Sequence, residues 1–120
     1  MHRTNDLLDR TKKFALETIT FCEGLPKDET SKILGRQLLR SGTSVGANYR
    51  AAYRAKSKAD FISKMGIVLE EADESGYWLL SAAGKVQTRR CEPLLQEVDE
   101  LVAIVISSIN TARRNLESNQ

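Results

Sequence analysis

The chain has 120 residues, with 18 Lys and Arg against 16 Asp and Glu, so its formal net charge is only +2. A mass of 13.4 kDa suits one domain, residues 1–120, which can bury roughly two-thirds of its unfolded surface without disulfides or a structural metal. The composition excludes collagen-like, disordered and disulfide-scaffold classes, and no stretch approaches the roughly 20 apolar residues of a membrane span.

The first predicted element precedes Gly24-Leu25-Pro26, where proline stops a helix. Apolar and small residues recur before it at three- and four-residue steps, which predicts a helix over about 4–24. The residues ahead of this helix show no secretory signal core, so we expect a cytoplasmic location by default.

The middle of the chain, about 28–87, is too long for one helix, which would extend about 90 Å. Ser57-Lys58-Ala59-Asp60 is typical of a capping box and places a helix start inside the segment. The sequence therefore predicts a second helix over about 28–56 and a third over about 58–87.

The last element follows the break at Arg89–Pro93. Leu94, Val98 and Leu101 begin a helical spacing that predicts a fourth helix over about 91–116. Four helices with short connections predict an all-α, antiparallel up-down-up-down four-helix bundle.

The predicted second helix, called helix two below, is strongly basic, whereas the predicted third helix is acidic. Residues 27–58 contain eight basic and two acidic residues, whereas residues 59–87 contain two basic and five acidic ones. Six of the basic side chains project within an arc of about 80°, forming a stripe about 40 Å long. These six are Lys32, Arg36, Arg40, Arg50, Arg54 and Lys58. Such a stripe can contact nucleic-acid phosphates without reading sequence.

Two other interpretations of the stripe stay open. It is also compatible with a solvated helix face, or with pairing to the acids of helix three, Asp60, Glu70, Glu71 and Glu74. Salt bridges from Arg50 and Arg54 to Glu71 and Glu74, within a subunit or across an interface, would make the stripe structural.

Helix two also contains a tract of small residues that costs helix propensity. Gly35, Gly42 and Gly46 fall within about 40° of one another, which predicts close packing of another helix rather than a ligand site. Large side chains at the helix flanks favour a subunit contact, with base stacking by the tyrosines as the alternative. These are Tyr49, Tyr53, Ile67, Tyr77 and Trp78.

The sequence gives little support for an enzymatic function. The single His is at position 2, and the chain contains no Glu-x-x-His pair of the di-iron type. Cys22 and Cys91 are interpreted as buried thiols rather than a disulfide. We expect no catalytic residues, no metal, no cofactor and no small-molecule substrate.

The amino-acid sequence of the central segment resembles that of a known family. Leu34–Ala52, Arg54-Ala55, Ser57–Ile62 and Leu69–Glu74 resemble the four-helix-bundle proteins encoded in intervening sequences of bacterial 23S rRNA genes. The resemblance implies a ring-shaped homopentamer without known enzymatic activity and with a suspected role in binding RNA. The family is similar in fold to accessory proteins of diversity-generating retroelements, which are strongly basic pentamers that bind nucleic acid and a reverse transcriptase. This chain departs from them in its net charge of +2.

The leading expectation is a non-enzymatic, cytoplasmic homo-oligomer whose helix-two stripe contacts RNA. The alternative is an interaction scaffold or reverse-transcriptase accessory protein, whose basic face pairs with helix three or with an acidic partner.

Overall fold

Four α-helices in antiparallel order make up the computed structural model, which describes residues 3–118. They are α1 (Arg3–Glu23), α2 (Glu29–Tyr53), α3 (Lys58–Ala82) and α4 (Thr88–Ser118), with a 3₁₀ turn at Ala83–Lys85. The predicted all-α, up-down-up-down four-helix bundle is confirmed. His2 lies outside the described residues.

The start of α3 falls where the capping sequence predicts it. The Ser57 hydroxyl accepts a hydrogen bond from the Asp60 N–H at 3.1 Å. The reciprocal bond differs from the standard capping box, because the Asp60 carboxylate accepts from the N–H of Lys56, at 3.2 Å, rather than from the cap residue. The cap of α2 is Asp28, whose Oδ1 accepts from the Ser31 N–H at 2.9 Å.

Three helix ends differ from the predicted ones by three residues or more. The second helix ends at Tyr53 instead of residue 56, because the chain tightens and the Ala55 N–H donates to the Ala52 carbonyl at 3.0 Å. The third ends at Ala82 instead of residue 87, since the 3₁₀ turn and an extended Val86 follow it. The fourth begins at Thr88 instead of residue 91, which places Pro93 inside the helix. That proline costs one backbone hydrogen bond in an early turn.

Each helix contributes an apolar face to one core. The largest fully buried side chains include Phe14 of α1, Leu38 of α2, Met65 and Leu79 of α3 and Leu101 of α4. Within each helix the buried residues recur at three- and four-residue steps, which is why these segments fold as amphipathic helices. Among the described residues, no helix combines the length and apolar character required to cross a bilayer.

The seam between α1 and α4 is less closely packed than the contacts of α2 with α1 and α3, or of α3 with α4. It is bridged by Arg10, whose guanidinium lies 2.7 Å from a Glu97 oxygen and 3.0 Å from a Glu100 oxygen. These carboxylates raise the pKa of Arg10, so the bridge is charged at any physiological pH. The looser seam leaves open clefts along the bundle.

Candidate nucleic-acid interface

The predicted basic stripe is not continuous. Lys32, Arg36, Arg40 and Arg50 lie on α2 opposite its buried face, as their spacing requires. Arg54, however, is the C-cap of α2, and Lys58 is the first residue of α3. The single helix-long stripe of six residues is therefore wrong, because the chain leaves the helix at Tyr53.

Arg40 is engaged by α3. Its guanidinium lies 3.3 Å from a Glu71 oxygen and also forms a close ion pair with Glu74. Glu74 accepts a further hydrogen bond from the Trp78 indole N–H at 2.9 Å. The bonds from Trp78 and Arg40 lower the pKa of Glu74, and the bond with Glu74 raises the pKa of Arg40. Arg40 therefore belongs to the contact between two helices.

The acids of α3 thus have a basic partner, but not the predicted one. The sequence pattern suggested Arg50 and Arg54 as partners of Glu71 and Glu74, whereas the structure uses Arg40. The reason is the register between α2 and α3, in which the buried Ser75 hydroxyl donates to the Ser41 hydroxyl at 3.0 Å. Arg50 lies about 15 Å farther along the helix axis than Arg40.

The other acids of the predicted set lie elsewhere. Asp60 pairs with Lys64 of its own helix at 2.6 Å, and this contact contributes most to the lowering of the Asp60 pKa. Glu70 is exposed on α3 and, among the described residues, forms no ion pair. Neither carboxylate meets the basic residues of α2.

The remaining basic residues of the stripe point to solvent. Arg36 approaches Glu29 only at 3.9 Å, with both side chains about two-thirds exposed or more, so this pair contributes little. Lys32, Arg50, Arg54 and Lys58 are exposed and, within the part of the chain that the structure describes, have no acidic group within 4.0 Å. Lys32 lies near the start of α2, and the other three lie at the opposite end of the bundle.

We call this opposite end, formed by the start of α1, residues 50–58 and the end of α4, the basic end. Residues 50–58 hold four basic residues and no acidic one. Arg113 and Arg114 of α4 are exposed in the last turns of that helix, at the same end. The Arg114 guanidinium donates to the Thr111 hydroxyl at 3.3 Å.

The glycines of α2 face α1 of the same chain. A Cβ at Gly42 would lie 2.7 Å from Thr18 Cγ2, and one at Gly46 would lie 3.2 Å from the Thr11 carbonyl oxygen. A Cβ at Gly35 would lie 3.1 Å from a Leu25 methyl group. The small-residue tract therefore accommodates α1, as close helix packing requires.

The side chains assigned to the helix flanks divide into two groups. Tyr49 is only 5% exposed and belongs to the core of its own chain, which corrects its placement at a flank. Trp78 is half-buried, whereas Tyr53, Ile67 and Tyr77 are 44%, 42% and 62% exposed. The second group therefore lies on the surface of the chain.

The cysteines are both free. Cys91 is buried and Cys22 is partly buried, and burial raises the pKa of Cys22 to about 11. Both thiols are therefore protonated and weakly nucleophilic at neutral pH. The residues that the structure describes contain no group of three or more His, Cys, Asp or Glu side chains placed to hold a metal ion.

One group of polar residues was missed by the sequence reasoning. Ser107, Ser108, Thr111 and Asn115 line a cleft between the end of α4 and the start of α3, together with Lys58 and Phe61. Their helical spacing was a detectable signal, since it continues for two turns on one side of α4. The sequence alone does not show that these residues lie beside the basic end, because that depends on how the helices pack.

These features define an antiparallel four-helix bundle with one basic end. A model of the family described as "23S rRNA-intervening sequence protein" matches residues 3–107. The chain belongs to this family.

A solved structure is similar over nearly the whole chain. It is the crystal structure of a protein of unknown function from the S23 ribosomal protein family of Bacteroides thetaiotaomicron. The two sequences are 34% identical, the match covers 91% of this chain and 99% of the other, and the TM-score is 0.82. A comparison with curated proteins finds no match.

Proposed function

We propose that this protein is a non-enzymatic, homo-oligomeric bundle that binds RNA phosphates through its basic end. The observation that carries the proposal is the contrast between Arg40 and the basic end. Arg40 is held by Glu71 and Glu74, whereas Arg50, Arg54 and Lys58 are exposed without an acidic partner among the described residues. Basic side chains that have no acidic partner can bind the phosphates of a nucleic acid and release the counterions that surround them.

Sequence-independent contact with the RNA backbone is the mode that these residues support. Arginine presents a planar fork of donors that matches phosphate oxygens, and Lys58 adds a point charge nearby. Roughly three to six phosphate contacts of this kind give binding that weakens steeply as salt is raised.

The test is a mobility-shift titration of the wild-type protein with a structured ribosomal RNA fragment at several salt concentrations. We expect a shift at low salt and a linear fall of log K with log salt concentration. Absence of binding at low salt, or binding without salt dependence, would contradict the proposal. A basic protein of similar size without a nucleic-acid function serves as the control for nonspecific shifts.

The proposed assembly is a homopentamer, as the family resemblance suggests. It is supported by a cluster of large apolar side chains on the surface. Leu16 and Ile19, one turn apart on α1, are 54% and 36% exposed, and Leu39 of α2, 39% exposed, lines the same groove as Ile19. Exposed apolar side chains of this size are typical of interaction surfaces when they cluster. Light scattering should give about five times the chain mass of 13.4 kDa, and a monomer mass would refute the assembly.

The alternative is a scaffold that docks an acidic protein or a reverse transcriptase. It is supported by the ion pairs of Arg40, in which a basic residue of α2 pairs with the acidic α3 of the same chain. The same mobility-shift series separates the two proposals, because a scaffold of this kind does not require RNA binding.

A further inference from the structure

Two clefts adjoin at the basic end and share the side chains of Phe61 and Ser108. The larger one, about 750 Å³, follows the loosely packed seam between α1 and α4 and is also lined by Tyr49 and Tyr53. The smaller one, about 340 Å³, lies between the start of α3 and the end of α4. Both volumes fall in the range of roughly 300–1,000 Å³ that is typical of sites for small organic groups.

The larger cleft offers aromatic surface. Tyr53 is 44% exposed, and its ring centroid lies 6.4 Å from that of the buried Tyr49, with the planes inclined at 45°. Phe61 is partly buried and packs against the core on one side. Aromatic side chains that are partly exposed and held by packing are suited to stacking with a planar group.

The charges in the larger cleft offer little attraction for an anion. Arg10 lines this cleft, but its guanidinium is already occupied by Glu97 and Glu100. Asp6 adds a negative charge to the same wall. The larger cleft is therefore suited to an uncharged planar group such as a nucleobase rather than to a phosphate.

The smaller cleft has the opposite character. Its lining includes Lys58, the hydroxyls of Ser107, Ser108 and Thr111, and the amide of Asn115, and the described residues contribute no carboxylate to it. The Arg114 guanidinium donates to the Thr111 hydroxyl at the edge of this cleft. A cation surrounded by hydroxyl and amide donors is suited to a phosphate and a ribose.

We propose that the basic end holds an unpaired RNA strand, with a base stacked on Tyr53 and Phe61 and the adjoining sugar-phosphate against Lys58 and the polar end of α4. A duplex keeps its bases stacked inside the helix, so it presents no base to the larger cleft. The inference rests on the proposed RNA binding and narrows it to single-stranded RNA.

The test compares a labelled oligouridine of about 12 nucleotides, close to the site size of single-strand binding proteins, with a blunt RNA duplex of the same length. Fluorescence anisotropy at one salt concentration gives both affinities.

The variants are Tyr53→Leu, which removes the ring, and Tyr53→Phe, which keeps it. Tyr77→Leu is the matched control, because Tyr77 is also an exposed tyrosine but lies in the opposite half of α3 from Phe61. Circular dichroism melting shows that each variant is folded.

We expect the wild type to prefer the single strand and Tyr53→Leu to weaken single-strand binding roughly 5-fold or more, since a stacked base contributes that much. Tyr53→Phe and Tyr77→Leu should bind within about twofold of the wild type, and duplex binding should be unchanged in all variants. Equal affinity of the wild type for strand and duplex, or no loss in Tyr53→Leu, overturns the inference while RNA binding itself stands. An equal loss in Tyr53→Phe also overturns it. Absence of binding to either RNA instead contradicts the proposed function.

Discussion

Arg40 and Arg50 lie on the same helix, near the same solvent-facing side, and differ in what they meet. The Arg40 guanidinium contacts two carboxylates of α3, whereas Arg50, ten residues later, has no acidic group within 4.0 Å among the described residues. The register between α2 and α3 makes this difference, because the antiparallel partner is acidic opposite residue 40 and not opposite residue 50. Arg40 is thus part of the contact between two helices, whereas Arg50 is open to a ligand.

The largest expected effect comes from disturbing the packing that fixes α2 in place. Gly42→Ala should lower the free energy of unfolding by about 1–3 kcal/mol, because its Cβ would lie 2.7 Å from Thr18 Cγ2. Chemical denaturation measures this change. Thr18→Ser, which deletes that methyl group, should recover part of the loss in the double variant.

The control for Gly42→Ala is Gly66→Ala, since a Cβ at Gly66 meets nothing within 4 Å and Gly66 lies within α3. This variant should be stabilised by up to about 1 kcal/mol through helix propensity. Equal effects of the two substitutions would contradict the close approach of α1 to α2.

A smaller effect, of opposite sign, is expected at Thr18 itself. Its hydroxyl is fully buried and has no hydrogen-bond partner among the described residues. Thr18→Val removes this unpaired group and keeps the shape of the side chain, so the free energy of unfolding should rise by about 1 kcal/mol. A fall in that free energy, measured by denaturant titration, would show that the hydroxyl has a partner.

The contact of Arg40 with Glu74 should also respond to acid. Because hydrogen bonds from Trp78 and Arg40 lower the pKa of Glu74 from its ordinary value of 4.5, the ionised carboxylate stabilises the folded state fully above pH 4.5. That contribution declines as the pH falls through the lowered pKa. The melting temperature of Glu74→Gln should therefore lie below that of the wild type at neutral pH, and the difference should shrink below pH 4.5.

The fluorescence of Trp78 should report on the protonation of Glu74, since Trp78 is the single tryptophan of the chain. Its emission should change in the wild type as Glu74 is protonated and should remain constant over that range in Glu74→Gln. Glu70→Gln is the matched control on the same helix, and its emission should follow the wild type. A wild-type curve in Glu74→Gln would contradict the contact.

Much of the fold could be predicted from the sequence, because helix periodicity and capping are local properties. The spacing of Leu94, Val98 and Leu101 predicts a buried face, and Ser57 with Asp60 predicts the start of α3 to the residue. The end at Tyr53 was missed by a few residues, since the chain leaves the helix through a tightened backbone turn without a Gly or Pro signal. The end at Ala82 was missed because the single Gly84, which lies in the 3₁₀ turn after the helix, was not interpreted as a helix end.

The candidate site was less predictable, because it depends on how helices align with one another. Rotation angles place Arg40, Arg50 and Arg54 on one side of an ideal helix, but only the inter-helix register decides that Arg40 meets Glu74. The clefts beside Phe61 join the end of α4 to the start of α3, which are distant in sequence. The tyrosines were similarly divided by tertiary packing, with Tyr49 inside the core and Tyr53 at the surface.

The central claim, that the basic end rather than the whole face of α2 contacts RNA, is tested most directly by the salt dependence of two variants with equal removal of charge. Arg50→Gln/Arg54→Gln should reduce the slope of log K against log salt concentration by about 1 for each phosphate that is no longer bound, about 2 in all. Arg36→Gln/Arg40→Gln should change the slope by less than half as much, since Arg40 is already paired with α3. Equal changes in both variants would contradict the account and restore a continuous basic stripe.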